Sequence, residues 1–337
     1  YMGSGGAELV AINSANALVK NVENKVSFIF IPSPKNFYLG ELKDTVELIP
    51  LEATSLIRST RELRKLIFEQ KYDYIISHMT DENIIVSCAS LGLNVKHIGY
   101  EHNHLMEIMR RGKVRWLITR LLMKITYPRL HKLIVVSDGL KNHFKAYLNK
   151  QKIVRIYNPC VSGQWSKRSH WSPNSGALNV AFVGRNVYQK NFEEALKIFK
   201  SIQSEYPFID VKLNVYGDGY RIKGKTDSIT FHGHIDRHDI YRTNNVLLMT
   251  SIYEGFGNVV IEAVEQGCYP MVRRVDFGPS EIIAITYGSV FEDVNEILNK
   301  IRVGWDIPEV DIQLFGIEHF GEELNKIVSA ISCSESA

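Results

Sequence analysis

The chain has 337 residues, 45% of them hydrophobic and 23% charged, with a formal net charge of +3. That balance carries no polyelectrolyte signal for nucleic acid, and the length suits two domains of roughly 150 residues better than one core. Four scattered cysteines (Cys88, Cys160, Cys268, Cys333) lack the paired spacing of a zinc site and fit a reducing compartment, and no apolar run approaches the roughly 18 residues of a membrane span.

The chain opens on a glycine loop, residues 1–8, that runs into a helical pattern from Leu9 to Leu18. Such a loop normally follows a strand, so the expectation is a first strand missing from this start. No secretory leader is read there, and the expected location is cytoplasmic. Strands then alternate with helices: strands at 25–31, 46–50, 72–77, 96–100, 132–137 and 152–157, and helices at 55–70, 82–91 and 139–148. This is the pattern of a parallel sheet covered on both faces. Residues 161–177 break it with linker composition, Ser172-Pro-Asn-Ser-Gly176 above all. A second α/β series follows over 178–315, with strands at 178–183, 211–216, 229–232, 246–250, 269–272 and 289–291. A last helix falls in the 316–337 segment, placed as packing back towards the first domain. The reading is α/β: two doubly wound, Rossmann-like domains, 1–160 and 178–315, with ligands expected at strand C-termini.

The chemistry concentrates in the second domain. Glu254-Gly-Phe-Gly-Asn-Val-Val-Ile-Glu262 places two acids around a glycine turn (Gly255, Gly257) that feeds a helix, with Val259, Val260, Ala263 and Val264 on its apolar face. A helix N-terminus offers free N–H groups and a positive dipole end to a phosphate or carboxylate. Arg185 and Lys190 lie in a loop after a strand, where a planar guanidinium fork and a compact ammonium suit phosphate oxygens. Gly217-Asp-Gly219 is another glycine loop on the same edge. In the first domain, Met106–Lys132 carries eight cations against one acid, Glu107, interleaved with Trp116, Leu117, Leu121 and other apolar residues. Such a basic amphipathic stretch, with Arg110, Arg111, Lys113, Arg115 and Trp116 at its front, reads as a surface for anionic lipid.

Taken in order, Gly184-Arg185 with Lys190, Val215-Tyr-Gly-Asp-Gly219, Ile229-Thr-Phe-His-Gly233 and the Glu254…Glu262 motif resemble the donor half of family 4 retaining glycosyltransferases. Gly5-Gly6-Ala7-Glu8 and Val136-Ser-Asp-Gly139 resemble that family's acceptor half, so the resemblance spans essentially the whole chain. It implies the GT-B fold, with the active site in the cleft between two facing domains, and transfer from a UDP-hexose or UDP-N-acetylhexosamine to a lipid-linked or growing surface glycan. Carried over, Arg185 and Lys190 hold the donor diphosphate, Glu254 the sugar and Glu262 the ribose. Gly5, Gly6, Gly184, Gly217 and the N–H groups of Phe256, Gly257, Asn258 and Val259 line the donor. A histidine after the strand at 96–100 faces the sugar, His102 matching better than His104. No Asp-x-Asp occurs, so no metal or other cofactor is expected, and the enzyme would work peripherally at the inner membrane face. The chain departs from the family's frequent Lys-Gly at Lys190-Asn191, where asparagine can take a left-handed backbone. A non-catalytic GT-B subunit that binds glycan for a partner transferase is the alternative reading.

Overall fold

A computed structural model describes the chain except residues 1–5, 33–37, 53–55, 104, 111, 162–169, 221–226, 234–236 and 334–337. It divides into two compact units: residues 1–159 with 315–337, and residues 160–314.

The first unit begins with α1 (Gly6–Leu18), so the helix takes in residues read as loop up to Glu8. Two short strands, β1 (Ser27–Phe30) and β2 (Glu47–Pro50), pair in parallel on their own. Then come α2 (Leu56–Gln70), β3 (Tyr74–His78), α3 (Thr80–Ala89) and β4 (Lys96–Glu101). The basic stretch is two helices, α4 (Met106–Arg110) and α5 (Lys113–Thr126), parted at Gly112. β5 (Lys132–Val135), α6 (Asp138–Phe144) and β6 (Ile153–Arg155) follow. Strands β3-β4-β5-β6 form a parallel sheet in sequence order. Ile98, Leu133 and Ile134 at its centre are fully buried, as strands covered on both faces require.

The second unit comprises β7 (His170–Trp171), β8 (Ala177–Val183), α7 (Phe192–Glu205), β9 (Asp210–Tyr216), β10 (Ile229–Gly233), α8 (Arg237–Arg242), β11 (Val246–Met249), α9 (Asn258–Glu265), β12 (Tyr269–Arg273), α10 (Pro279–Ile285), β13 (Ser289–Phe291), α11 (Val294–Val303) and β14 (Trp305–Asp306). Its parallel sheet runs β10-β9-β8-β11-β12-β13. Numbered from its first strand, that is the 3-2-1-4-5-6 order of a doubly wound dinucleotide-type sheet, whose direction of winding reverses between β8 and β11. Residues 170–176, read from composition as linker, belong to this unit: β7 pairs antiparallel with β14, and Trp171 stacks on Trp305 with centroids 4.3 Å apart. The chain then returns to the first unit as α12 (Ile317–Cys333), which packs on α1 and accepts a hydrogen bond from Lys96 Nζ at the Ile331 carbonyl (3.2 Å). Among the described residues no helix is long and apolar enough to cross a membrane.

Candidate active site

At a winding reversal the loops leaving the two central strands part to opposite sides and leave a crevice at the strand C-termini. In the second unit these are the loop after β8, which carries Gly184, Arg185 and Lys190, and the loop after β11, which carries Glu254. Lys190 Nζ lies 2.6 Å from Glu254 Oε1, and both side chains are largely withdrawn from solvent. The two loops are further tied by Ile252 N–H donating to the Gln189 carbonyl (2.8 Å) and by Gln189 Nε2 donating to the Tyr253 carbonyl (2.9 Å). Thr250 Oγ1 donates to the Lys190 and Asn191 carbonyls at 3.0 and 2.9 Å. Asn191 itself is left-handed at φ +52°, the conformation that asparagine supplies in place of glycine.

Glycine is required at two turns here. Gly217, at φ +130°, stands so close to the loop after β8 that a β-carbon would overlap the Gly184 carbonyl oxygen. Gly257, at φ +93°, caps α9, and a β-carbon there would meet Pro279 at 2.8 Å. Gly257 offers α9 no side-chain cap, and the Val260 N–H closes back on the Gly257 carbonyl at 2.9 Å, so the first turn sets the positive end of the helix dipole at this loop. Gly255 and Phe256 are buried in the turn, while Asn258 and Val259 are partly exposed at its mouth. Glu262, one turn into α9, is 7% exposed and accepts from Tyr241 Oη at 3.0 Å. The helix is buried nearly all round rather than on one face, because it packs on β12 and against both α8 and α10. Arg185 is exposed on the same loop as Lys190.

In the first unit His102 follows β4 and is 5% exposed. Sequence reading missed its partner: His78, at the end of β3, approaches with Nδ1 3.0 Å from His102 Nε2. The register that pairs His78 with Tyr100 stacks three rings, with Tyr100–His102 centroids 4.4 Å apart and His78–Tyr100 centroids 5.0 Å apart. Removal from water, which disfavours the charged ring, holds half-buried His78 down to about 3 and His102 well below the ordinary histidine value, the latter helped by His78. Both rings are therefore neutral at physiological pH. His102 Nδ1 is buried without a hydrogen-bond partner among the described residues. Gly5, His104 and Arg111 lie outside the described residues, and Gly6 is the exposed first residue of α1.

The basic stretch presents a different face from the one read in sequence. Arg115 pairs with Asp81 at 2.8 Å, and Arg120 lies over the Trp116 ring at 4.5 Å, so Arg115 and Trp116 are engaged on the protein itself. What α5 turns outward is Val114, Leu117, Ile118, Leu121 and Ile125, each 49–70% exposed, at the spacing of a single helix face. Lys113 and Lys124 are exposed on the same helix, and Arg110 is exposed at the end of α4.

Two family models match successive halves of the chain: "Glycosyltransferase Family 4" over residues 4–160 and "Glycosyl transferases group 1" over residues 177–303. A Campylobacter jejuni protein named as an α-1,4-N-acetyl-D-galactosaminyltransferase acting on GalNAc-α-(1→4)-GalNAc-α-(1→3)-diNAcBac-PP-undecaprenol is 29% identical over 78% of this chain and 74% of its own. An uncharacterized glycosyltransferase of Haemophilus influenzae is 24% identical over 96% of both chains. Among solved structures, Anabaena HepE in complex with UDP-glucose superposes with a TM-score of 0.71 at 14% identity, over 98% of this chain and 97% of that one. Sucrose-phosphate synthase of Thermosynechococcus elongatus gives 0.70 at 17% identity, over 97% and 89%. The chain is a glycosyltransferase of family 4, with the GT-B fold.

Proposed function

We propose that the chain moves a hexosyl or N-acetylhexosaminyl group, with retention of configuration, from a UDP-sugar to a lipid-linked glycan. The observation that carries this reading is the Lys190–Glu254 pair at 2.6 Å, set across the two loops of the winding reversal. A departing nucleoside diphosphate needs cations and oriented N–H groups where its negative charge develops. Lys190, Arg185 and the positive dipole end of α9 supply them, and this reading assigns the diphosphate no metal. Glu254, once Lys190 turns to the diphosphate, is free to accept from sugar hydroxyls, and Glu262 from the ribose. On the acceptor side His102 hydrogen-bonds the sugar as a neutral ring. The lipid-linked substrate in the C. jejuni relative's name and the UDP-glucose bound to HepE support the two substrate classes. The test offers the full chain a panel of UDP- and GDP-sugars with a polyprenyl-diphosphate-linked sugar and measures nucleotide release and product anomeric configuration. UDP release that depends on acceptor is expected. A Glu254→Ala variant that transfers at the wild-type rate would refute the site, and silence across the panel would favour a non-catalytic subunit.

The outward face of α5 supports a second element of the proposal, contact with an anionic membrane surface. Five bulky apolar side chains standing in water beside lysines and arginines match acyl chains below anionic headgroups. Co-sedimentation with vesicles of phosphatidylglycerol and phosphatidylcholine is expected at low salt. Leu121→Glu, which places a charge in the stripe, is expected to abolish it, and equal binding by that variant would remove α5 from the contact.

A further inference from the structure

Glu101 ends β4, directly before His102, and is 1% exposed. Its carboxyl draws three donors, two from α3 and one from the segment after α5. Thr80 Oγ1, at the start of α3, donates to Oε2 at 2.9 Å. Asn83 Nδ2 donates to Oε1 at 2.9 Å, and the Tyr127 hydroxyl, beyond the end of α5, closes on the same oxygen. The Asn83 amide cannot turn over, because its Oδ1 accepts from Ser77 Oγ (2.6 Å) and from the Tyr100 N–H (3.4 Å).

This arrangement distinguishes the two protonation states of Glu101. As a carboxylate it accepts from all three groups at once. As a carboxylic acid it must donate one bond, and of its three partners only the hydroxyls of Thr80 and Tyr127 can turn to accept it. Thr80 is the second residue after His78, across Met79, which sits at φ +81° and donates its N–H to the Tyr100 carbonyl at 2.9 Å. Thr80 therefore ties the carboxyl, through one intervening residue, to the strained junction that joins His78 to the strand bearing His102. The ionisable groups facing the carboxyl are Glu82 on α3 and Tyr127, with His78 next along β3, and β5 brings Val135 into register beside it.

We propose that Glu101 is a positioning residue for His102, and that gain or loss of one proton on its carboxyl resets the His78–His102 pair. The catalytic consequence rests on the reading in which His102 meets the donor sugar. Burial, opposed by the three donors, lifts this carboxyl to about 7, so the change falls within the physiological range.

The test uses the full chain labelled with ¹⁵N at histidine, followed by NMR from about pH 5 to 8, a window in which an unperturbed histidine would itself titrate. The ring nitrogens of His102 and His78 are expected to stay neutral yet shift together with a midpoint near 7 in the wild type. They are expected to be flat in Glu101→Gln, which resembles the protonated acid. Tyr127→Phe, which removes one donor to the carboxylate, is expected to move the midpoint upward, and Glu101→Asp to retain a titration if Glu101→Gln does not fold. The transfer rate is expected to show the same inflection in the wild type and to lose it in Glu101→Gln. Rings that do not move near pH 7, or that move identically in Glu101→Gln, overturn the proposal. A His102→Ala variant with a wild-type transfer rate rejects instead the reading of His102 beneath it, and with it the catalytic consequence, whatever the rings do.

Discussion

In the second unit a lysine and a glutamate meet as ions at the strand ends, each holding the other's charge out of full solvent. In the first unit the groups at the corresponding strand ends are imidazoles kept neutral by burial, backed by a carboxyl held by hydroxyls and an amide. Both are parallel sheets with these groups at their C-terminal edge, so the difference is not one of architecture. A donor that brings two phosphates needs standing positive charge, which survives partial burial only when paired. In the proposed reaction, hydrogen bonding to an uncharged sugar or glycan needs direction rather than charge, which neutral rings stacked on Tyr100 would supply.

The contrast breaks most sharply at the ion pair. Glu254→Ala and Lys190→Ala are each expected to lower transfer by about 10²–10³-fold, the scale of losing one preorganised electrostatic group. The double variant should cost far less than the product of the two, because the pair acts as a unit. Steady-state rates of the three variants decide this, and strictly multiplicative losses would separate the two residues.

Next in size is the response of stability to pH in the first unit. Glu101 moves from an ordinary 4.5 to about 7 on folding, so the folded chain takes up this proton first. Its contribution is fully present below pH 4.5 and is lost as pH rises through 7, about 3 kcal/mol at about 1.4 kcal/mol per unit. His97, buried between Ser77 and Ser87 and held down to about 3 chiefly by burial, works the opposite way: its contribution is present above 6.5 and is lost as pH falls towards 3. Glu101→Gln removes the compensating member, so urea unfolding of that variant should weaken more steeply with acid than the wild type. Parallel pH curves would show that Glu101 does not titrate where its surroundings place it.

A smaller effect is expected from Gly217→Ala, whose β-carbon must displace the loop after β8, at about 1–3 kcal/mol of stability. Thermal melts would register it as a fall of several degrees. Smallest is Arg115→Ala: its pair with Asp81 is half exposed on both sides, so about 1 kcal/mol or less is expected. That loss should also vanish in high salt.

The loops of the second unit that meet at the winding reversal were largely legible in the sequence because their signals are local. A glycine turn, an acid and a helix start lie within a dozen residues, and Lys190 lies a few residues from the end of its strand. The order of the central strands, which turns these fragments into one crevice, is set by pairing between distant segments that no short window contains. The same limit hid His78 and Glu101. Their importance depends on the β3–β4 register that sets His78 opposite Tyr100, and a one-residue slip would turn His78 to the other face. Residues 170–176 read as linker because the partner of Trp171 is Trp305, far along the chain. In the basic stretch, composition identified the right segment but not its outward face, since helix phase decides that Leu117 and Leu121 meet solvent while Trp116 turns to Arg120.

The return of α12 to the first unit has a consequence for how the molecule is made. The second unit is one continuous piece of chain, residues 160–314, and can complete its core as soon as that piece has left the ribosome. The first unit is synthesised earlier yet waits for α12, whose Gly321 lies against Ala17 of α1, to cover the residues that α1 leaves bare. Trimming the polypeptide from its carboxyl end should therefore unsettle the half that was translated first, and a cell under translational stress would accumulate nascent chains with a finished second unit and an unfinished first one.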